Sequence, residues 1–172
     1  MYSVRGTVRA GSQAPPIKAR DIRGVVFDMA GYAGRSNLVI FFYRNSRCHT
    51  CRDELKDMAG KYGHIARQDG EVVAISNDGF DEAKNLAVDL RLPFRVISDP
   101  GGEIIKSYGV YDKNTDTAYP TVFIVDKDAV VRFVRQVQGM DDLLPADEIV
   151  NKLRDLGQGY GSTISAQPFR SR

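Results

Sequence analysis

Cysteine is nearly absent from this chain of 172 residues, which holds two, Cys48 and Cys51. A secreted disulfide scaffold is thereby excluded, because such scaffolds are small and cysteine-dense. An excess of charge of one sign is lacking as well. With 24 Lys and Arg against 22 Asp and Glu, the net charge of +2 offers no general field for nucleic acid or a membrane surface. No basic start leads into an apolar run of roughly 7–15 residues, and nowhere do about 18 apolar residues stand together. The expectation is a cytoplasmic protein. No glycine-rich phosphate loop follows a strand, so a bound nicotinamide is not indicated and no cofactor is expected.

What is present fits one domain, long enough to bury a core without staples. The expected division is an N-terminal arm over 1–10, a domain over 11–156 and a mobile, glycine- and serine-rich tail over 157–172. "GSQAPPIKARDIRGVVFDMAGYAG" predicts loop plus a small hairpin. "NLVIFFYR" is a continuous run of β-formers, as in a central parallel strand buried on both faces. Leu55, Met58, Ala59, Tyr62, Ile65 and Ala66 then recur at spacings of three and four, predicting a helix to about Arg67.

"EVVAIS" completes a strand-helix-strand unit. Ala83, Leu86, Ala87 and Leu90 mark a second helix, with Asn77, Asp78 and Asp81 as candidate caps. "FRVISDP" is a third strand, "GGEIIKSYGV" a short helix stopped by Gly109, and "KNTDTA" an exposed loop. "TVFIVDKDAVVRFVRQVQG" is a hairpin, and "PADEIVNKLRDL" a last helix opened by Pro145. The fold class is α/β, a mixed sheet with helices on both faces.

Both cysteines lie in "FFYRNSRCHTCRDEL", at the junction of the first long strand and helix. Three uses other than redox chemistry can be weighed. They could be small buried residues. Cys48, His49, Cys51 and His64 could nominally ligate zinc, although no second pair completes the usual spacing. Haem attachment would need histidine where Arg52 stands.

Redox chemistry needs what the stretch supplies. A thiol reacts as its thiolate, and the first turn of a helix offers unpaired N–H groups and a positive dipole end. Arg44, Arg47, Arg52 and His49 add positive charge nearby. With two residues between them, one sulfur can resolve what forms on the other. Pro120, opening the run "PTVFIVD", belongs at the first residue of an internal strand, often after a cis bond.

On "GSQAPPI", "FFYRNSRCHTCRDEL", "VVAISND", "LPFRVISDPGGEIIKSYGV" and "PTVFIVDKDAVVRF", the chain from Gly11 to about Leu156 resembles the thioredoxin-like redoxins. The resemblance is to their peroxiredoxin-like branch, the alkyl hydroperoxide reductase and thiol-specific antioxidant group. It implies a thioredoxin-like fold with an N-terminal hairpin extension and thiol-based redox activity. Two registers compete within it. Counted from Phe42 and Tyr43, Cys51 falls where peroxiredoxins keep the peroxidatic cysteine and Cys48 where they keep a threonine. Arg44 replaces their proline, and Pro120 stands in place of their arginine.

Cys48 with Pro120 is the thioredoxin arrangement, in which the first cysteine is the nucleophile, the second resolves, and the proline loop faces the pair and offers free backbone groups to an extended peptide. His49, inside the pair, implies a couple less reducing than thioredoxin's roughly −270 mV.

The leading expectation is a thiol-dependent peroxidase or antioxidant redoxin cycling Cys48 and Cys51, recharged by a thioredoxin-like thiol donor. The alternatives are a protein disulfide oxidoreductase with Cys48 as nucleophile, and a non-enzymatic redox-sensing module. Tyr43, Arg44, Arg47, His49, Thr50, Arg52, Tyr119 and Pro120 are the residues expected to bind substrate or tune the pair. A hydroperoxide or a protein disulfide is the expected substrate. The resemblance also brings homodimers into view.

Overall fold

The computed structural model describes residues 8–170, without the side chains of Met140 and residues 160–170. The expected N-terminal arm therefore lies largely outside the described residues. Two short strands, β1 (Lys18–Arg20) and β2 (Val26–Asp28), pair antiparallel in the N-terminal hairpin. The run "NLVIFF" forms β3 (Asn37–Phe42), every residue of which is buried. Such a run suits a strand covered on both faces.

β3 pairs in parallel with β4 (Gly70–Ser76) and antiparallel with β8 (Thr121–Val125). β5 (Arg95–Ser98) lies beyond β4, and β9 (Val131–Gln136) beyond β8, giving a five-stranded sheet in the order β5-β4-β3-β8-β9. The sheet is mixed and β3 is its centre. A second small hairpin, β6 (Tyr111–Asp112) with β7 (Thr117–Ala118), takes the last two residues of the expected "KNTDTA" loop into a strand, with Ala118 buried, and leaves 113–116 as its turn.

The helices follow from the strand order. The helical stripe after Cys51 is divided at Lys61 into α1 (His49–Gly60) and α2 (Tyr62–Arg67). α3 (Phe80–Asp89) connects β4 to β5. Two successive parallel steps in one direction, joined by right-handed crossovers, place α1 and α3 on one face. They share a core there with α2 and with α5 (Ala146–Arg170), through Leu55, Met58, Ile65, Leu86, Ile149 and Leu153. The other face carries α4 (Glu103–Ser107) and the N-terminal hairpin, around Phe42, Phe123, Tyr108 and Phe27. The side chains of β3 alternate between these cores, Val39 and Phe41 toward the first, Ile40 and Phe42 toward the second.

Several boundaries differ from the expected ones. The N-cap of α3 is Gly79, whose N–H donates to Glu82. Asp78 is turned inward instead, accepting from the Ser46 backbone N–H at 2.8 Å, which leaves it unable to cap α3. Pro145 immediately precedes α5 rather than lying in its first turn. The helix continues to Arg170, past the end expected near Leu156. Gly157 and Gly159 each disfavour helix by about 1 kcal/mol relative to Ala, which weakens a helix without forbidding it.

Candidate active site

The site is built where β3 ends. Between Phe42 and α1 the chain turns through Asn45, whose side chain accepts from the Arg47 N–H and whose carbonyl accepts from the Cys48 N–H. This brings Cys48 to the N-cap of α1 in extended conformation (φ −76°, ψ 109°). Its Sγ takes the place of a capping oxygen, accepting from the Cys51 backbone N–H at 3.2 Å. Both cysteines are free, Cys48 half-buried and Cys51 fully buried.

The two sulfurs are electrostatically unequal. Cys48 is lowered from the ordinary thiol value to about 6, first by the hydrogen bond its sulfur receives from the Cys51 thiol. The Cys51 N–H, the Arg44 charge and the Thr50 N–H act in the same direction, against the cost of partial burial. Cys51 is raised far above the usual thiol range, because its proton is held by Cys48 and burial disfavours its charge. Only the backbone N–H of Arg44, 3.4 Å from the Cys51 Sγ, and the Arg44 charge oppose this.

The expected tuning residues separate into those that reach the pair and those that do not. Arg44 reaches it, and its guanidinium is held over the β6–β7 hairpin by Thr115 at 3.2 Å, Thr117 at 3.3 Å and Asp112 at 3.9 Å. Thr50 contributes its backbone N–H. Arg47 points outward to Glu82, 3.8 Å away, and His49 is exposed. Arg52 donates to the Ser46 carbonyl at 2.9 Å and faces Asp89, so it fastens the loop to α3. Arg44 is the charge among the principal influences on Cys48, while Arg47 and Arg52 are engaged by carboxylates of α3.

Tyr43 is fully buried beside Ser76 and Cys51, its hydroxyl raised by desolvation and without a well-formed hydrogen bond. It packs beneath the pair, out of reach of a bound substrate. His64 is exposed on α2, and among the described residues no three His, Cys, Asp or Glu side chains come together as a metal-holding group.

Pro120 is buried directly before β8, and no peptide bond among the described residues is cis. The free backbone expected there is already used. Pro120 O accepts from Val137 N at 2.8 Å, and Tyr119 O accepts from the Thr121 hydroxyl at 2.7 Å. In place of an open edge there is a polar cleft of about 430 Å³, lined by Arg44, Asp112, Asn114, Tyr119, Pro120 and residues 136–138. Asp112 is the residue sequence reasoning missed, joining Arg44 and Tyr119 from the small hairpin. Nothing in the local sequence around Arg44 signals a partner so distant along the chain.

The described helices include none long and apolar enough to cross a membrane. Solved structures share the fold. AhpC of Enterococcus faecalis superposes with a TM-score of 0.78 at 22% identity, over 91% of this chain and 96% of that one. Peroxidoxin BcpB of Mycobacterium tuberculosis gives 0.76 at 20% identity, over 86% and 97%.

Among curated proteins, thiol-disulfide oxidoreductase ResA of Bacillus cereus is 28% identical over 88% of this chain and 83% of its own length. Peroxiredoxin Q of Sedum lineare is 28% identical over 77% and 71%. The AhpC/TSA family model matches residues 10–134. With a thioredoxin-like fold, a cysteine pair at the helix start and this match across most of its length, the chain belongs to the AhpC/TSA family and is a thiol-dependent oxidoreductase acting on peroxide or disulfide.

Proposed function

We propose that this protein is a dithiol–disulfide oxidoreductase with Cys48 as nucleophile and Cys51 as resolving thiol. The observation that carries it is the asymmetry of the pair: an accessible sulfur lowered to about 6 above a fully buried one that retains its proton. At neutral pH Cys48 is largely thiolate, while a substrate cannot reach Cys51 directly.

The Cys48 thiolate attacks one sulfur of a disulfide, forming a mixed disulfide and releasing the other sulfur as a thiolate. Cys51 then loses its proton to solvent or to the departing thiolate and attacks the Cys48 sulfur. The second substrate thiolate leaves, and two electrons have passed from the protein, now a Cys48–Cys51 disulfide, to the substrate. An external dithiol, of the kind a thioredoxin-like protein provides, returns it to the reduced form.

A hydroperoxide is the second oxidant open to the same sulfur, supported by the peroxiredoxins among the relatives. There the Cys48 thiolate would attack the terminal oxygen, breaking the O–O bond, releasing the alcohol, or water from hydrogen peroxide, and becoming a sulfenic acid. Cys51 would then attack the Cys48 sulfur and expel that oxygen as water, forming the same disulfide. Stopped-flow oxidation of the reduced protein separates the two. The proposal expects a rate with hydrogen peroxide close to that of a free thiol of matched pKa, and fast reduction of protein disulfides. A peroxide rate orders of magnitude above the free thiol would instead make peroxide the substrate.

A further inference from the structure

Glu54 stands one helical turn beyond Cys51 on α1 and takes no part in the steps above. Its side chain is buried, 2% exposed, on a helix whose other buried residues are apolar or sulfur-bearing. Oε1 accepts from the backbone N–H of Leu144 at 2.5 Å, while Oε2 is buried without a partner. One turn further, Asp57 accepts from the Ala146 N–H at 2.7 Å. The two carboxylates therefore clasp the connector between β9 and α5 against the helix that begins at the active cysteines.

That connector leads back to the site. Its first residue, Val137, donates to Pro120 O, and Gln136, Val137 and Gln138 form one wall of the cleft beside Arg44. Asp142 braces it internally, accepting from Gln138 N at 3.0 Å and from Arg135 at 2.7 Å.

We propose that Glu54 is a positioning residue for the redox site: its protonation state sets how firmly residues 137–145 are held against α1, and so how the cleft wall sits beside Pro120. The catalytic part rests on the dithiol reading given above; the clasp itself does not.

An ionised Glu54 carries charge onto an oxygen with no donor, a costly arrangement in a dry site. Movement of the connector, which would admit water to that oxygen, relieves it. The protonated acid leaves only a neutral group unpaired there, at a smaller cost, and so presses less for that movement. The charged groups facing Glu54 are Asp57 on α1, Asp142 in the connector and Arg135 on β9, the last also facing Glu148 of α5; Lys61 pairs with Asp147 at the start of α5. Burial is the largest influence and brings Glu54 up to about 7, so the two forms exchange near neutral pH.

The test is a pH titration of the reduced full-length protein followed by amide resonances. Leu144 and Ala146 should shift together with a midpoint near 7, and Glu54→Gln should abolish that titration. The thiolate absorbance of Cys48 should titrate unchanged in the variant. Disulfide-reduction kcat/KM, after correction for the fraction of Cys48 present as thiolate, should change by about threefold across the same midpoint in the wild type, a size ordinary for coupling through a packed network; in Glu54→Gln only the rise that follows Cys48 ionisation should remain. Asp57→Asn, which removes a nearby negative charge, should move the amide midpoint to lower pH, and serves if Glu54→Gln does not fold. Amides that do not titrate in the wild type, or titrate identically in Glu54→Gln, would overturn the clasp. An intact amide titration with no disulfide turnover in the wild type would support the clasp and count against the dithiol reading.

Discussion

The Cys48 Sγ accepts the backbone N–H of Cys51 at 3.2 Å, so the first sulfur of the pair serves as the N-cap of the helix that holds the second. A capping group is an acceptor by necessity, and an acceptor at a helix start is favoured as an anion. The fold thus favours the thiolate at one sulfur and, through the thiol proton that sulfur attracts, disfavours it at the other.

Substitution should separate the two roles. Cys48→Ser should lower disulfide reduction by on the order of a thousandfold or more, since no accessible thiolate remains. Cys51→Ser should still attack and then stall, so mass spectrometry of the reaction mixture should find substrate attached at Cys48. Sustained turnover by Cys51→Ser would show that the resolving sulfur comes from elsewhere.

The pair should also make stability depend on pH. Cys48 is depressed in the folded state, so its contribution is fully present above the ordinary thiol value and is lost as pH falls toward about 6. Cys51, raised, keeps its proton through that window. The melting temperature of the reduced wild type, taken relative to Cys48→Ser, should therefore rise between pH 6 and pH 9. A difference that stays constant with pH would mean that the Cys48 sulfur is not depressed.

Among the basic residues around the pair, Arg44 should matter and its neighbours should not. Arg44→Gln should raise the midpoint for alkylation of Cys48 and slow that alkylation about two- to threefold at pH 6, with the effect shrinking at high salt. Arg47→Ala and Arg52→Ala should leave the midpoint in place. Equal effects from all three would restore a diffuse positive field as the cause.

Gly70 tests the packing beneath the site. A Cβ there would lie 2.7 Å from the Ile65 Cγ2 and 2.8 Å from the Leu153 Cδ1, with the Ile65 carbonyl at 2.9 Å. Gly70→Ala should destabilise by about 1–3 kcal/mol in denaturant unfolding, as overpacking of a filled core does. An unchanged midpoint would mean that α2 and α5 yield readily against β4.

Much of this was legible in the chain itself, for reasons visible in particular residues. "NLVIFF" carries its burial on its face, and two cysteines at spacing three between strand and helix leave few chemistries. What the chain did not disclose depends on side chains meeting across long separations. Arg47 and Arg52 look like activators of Cys48 until Glu82 and Asp89 of α3 are seen beside them. Glu54 reads as one more polar position on an amphipathic helix, and its partner Leu144 is 90 residues away. Pro120 suggests an open edge, but Val137 closes it from the following strand's end. Local pattern encodes which elements form; the pairing of polar groups between loops is set only once those elements have packed.

Which sulfur attacks first is read by reacting the fully reduced wild type with less than one equivalent of an aromatic disulfide at pH 7, quenching within milliseconds, and mapping the modified sulfur by mass spectrometry. The mixed disulfide should appear on Cys48 and then convert to the Cys48–Cys51 disulfide. First modification at Cys51 would make the buried sulfur the nucleophile and overturn the assignment of Cys48.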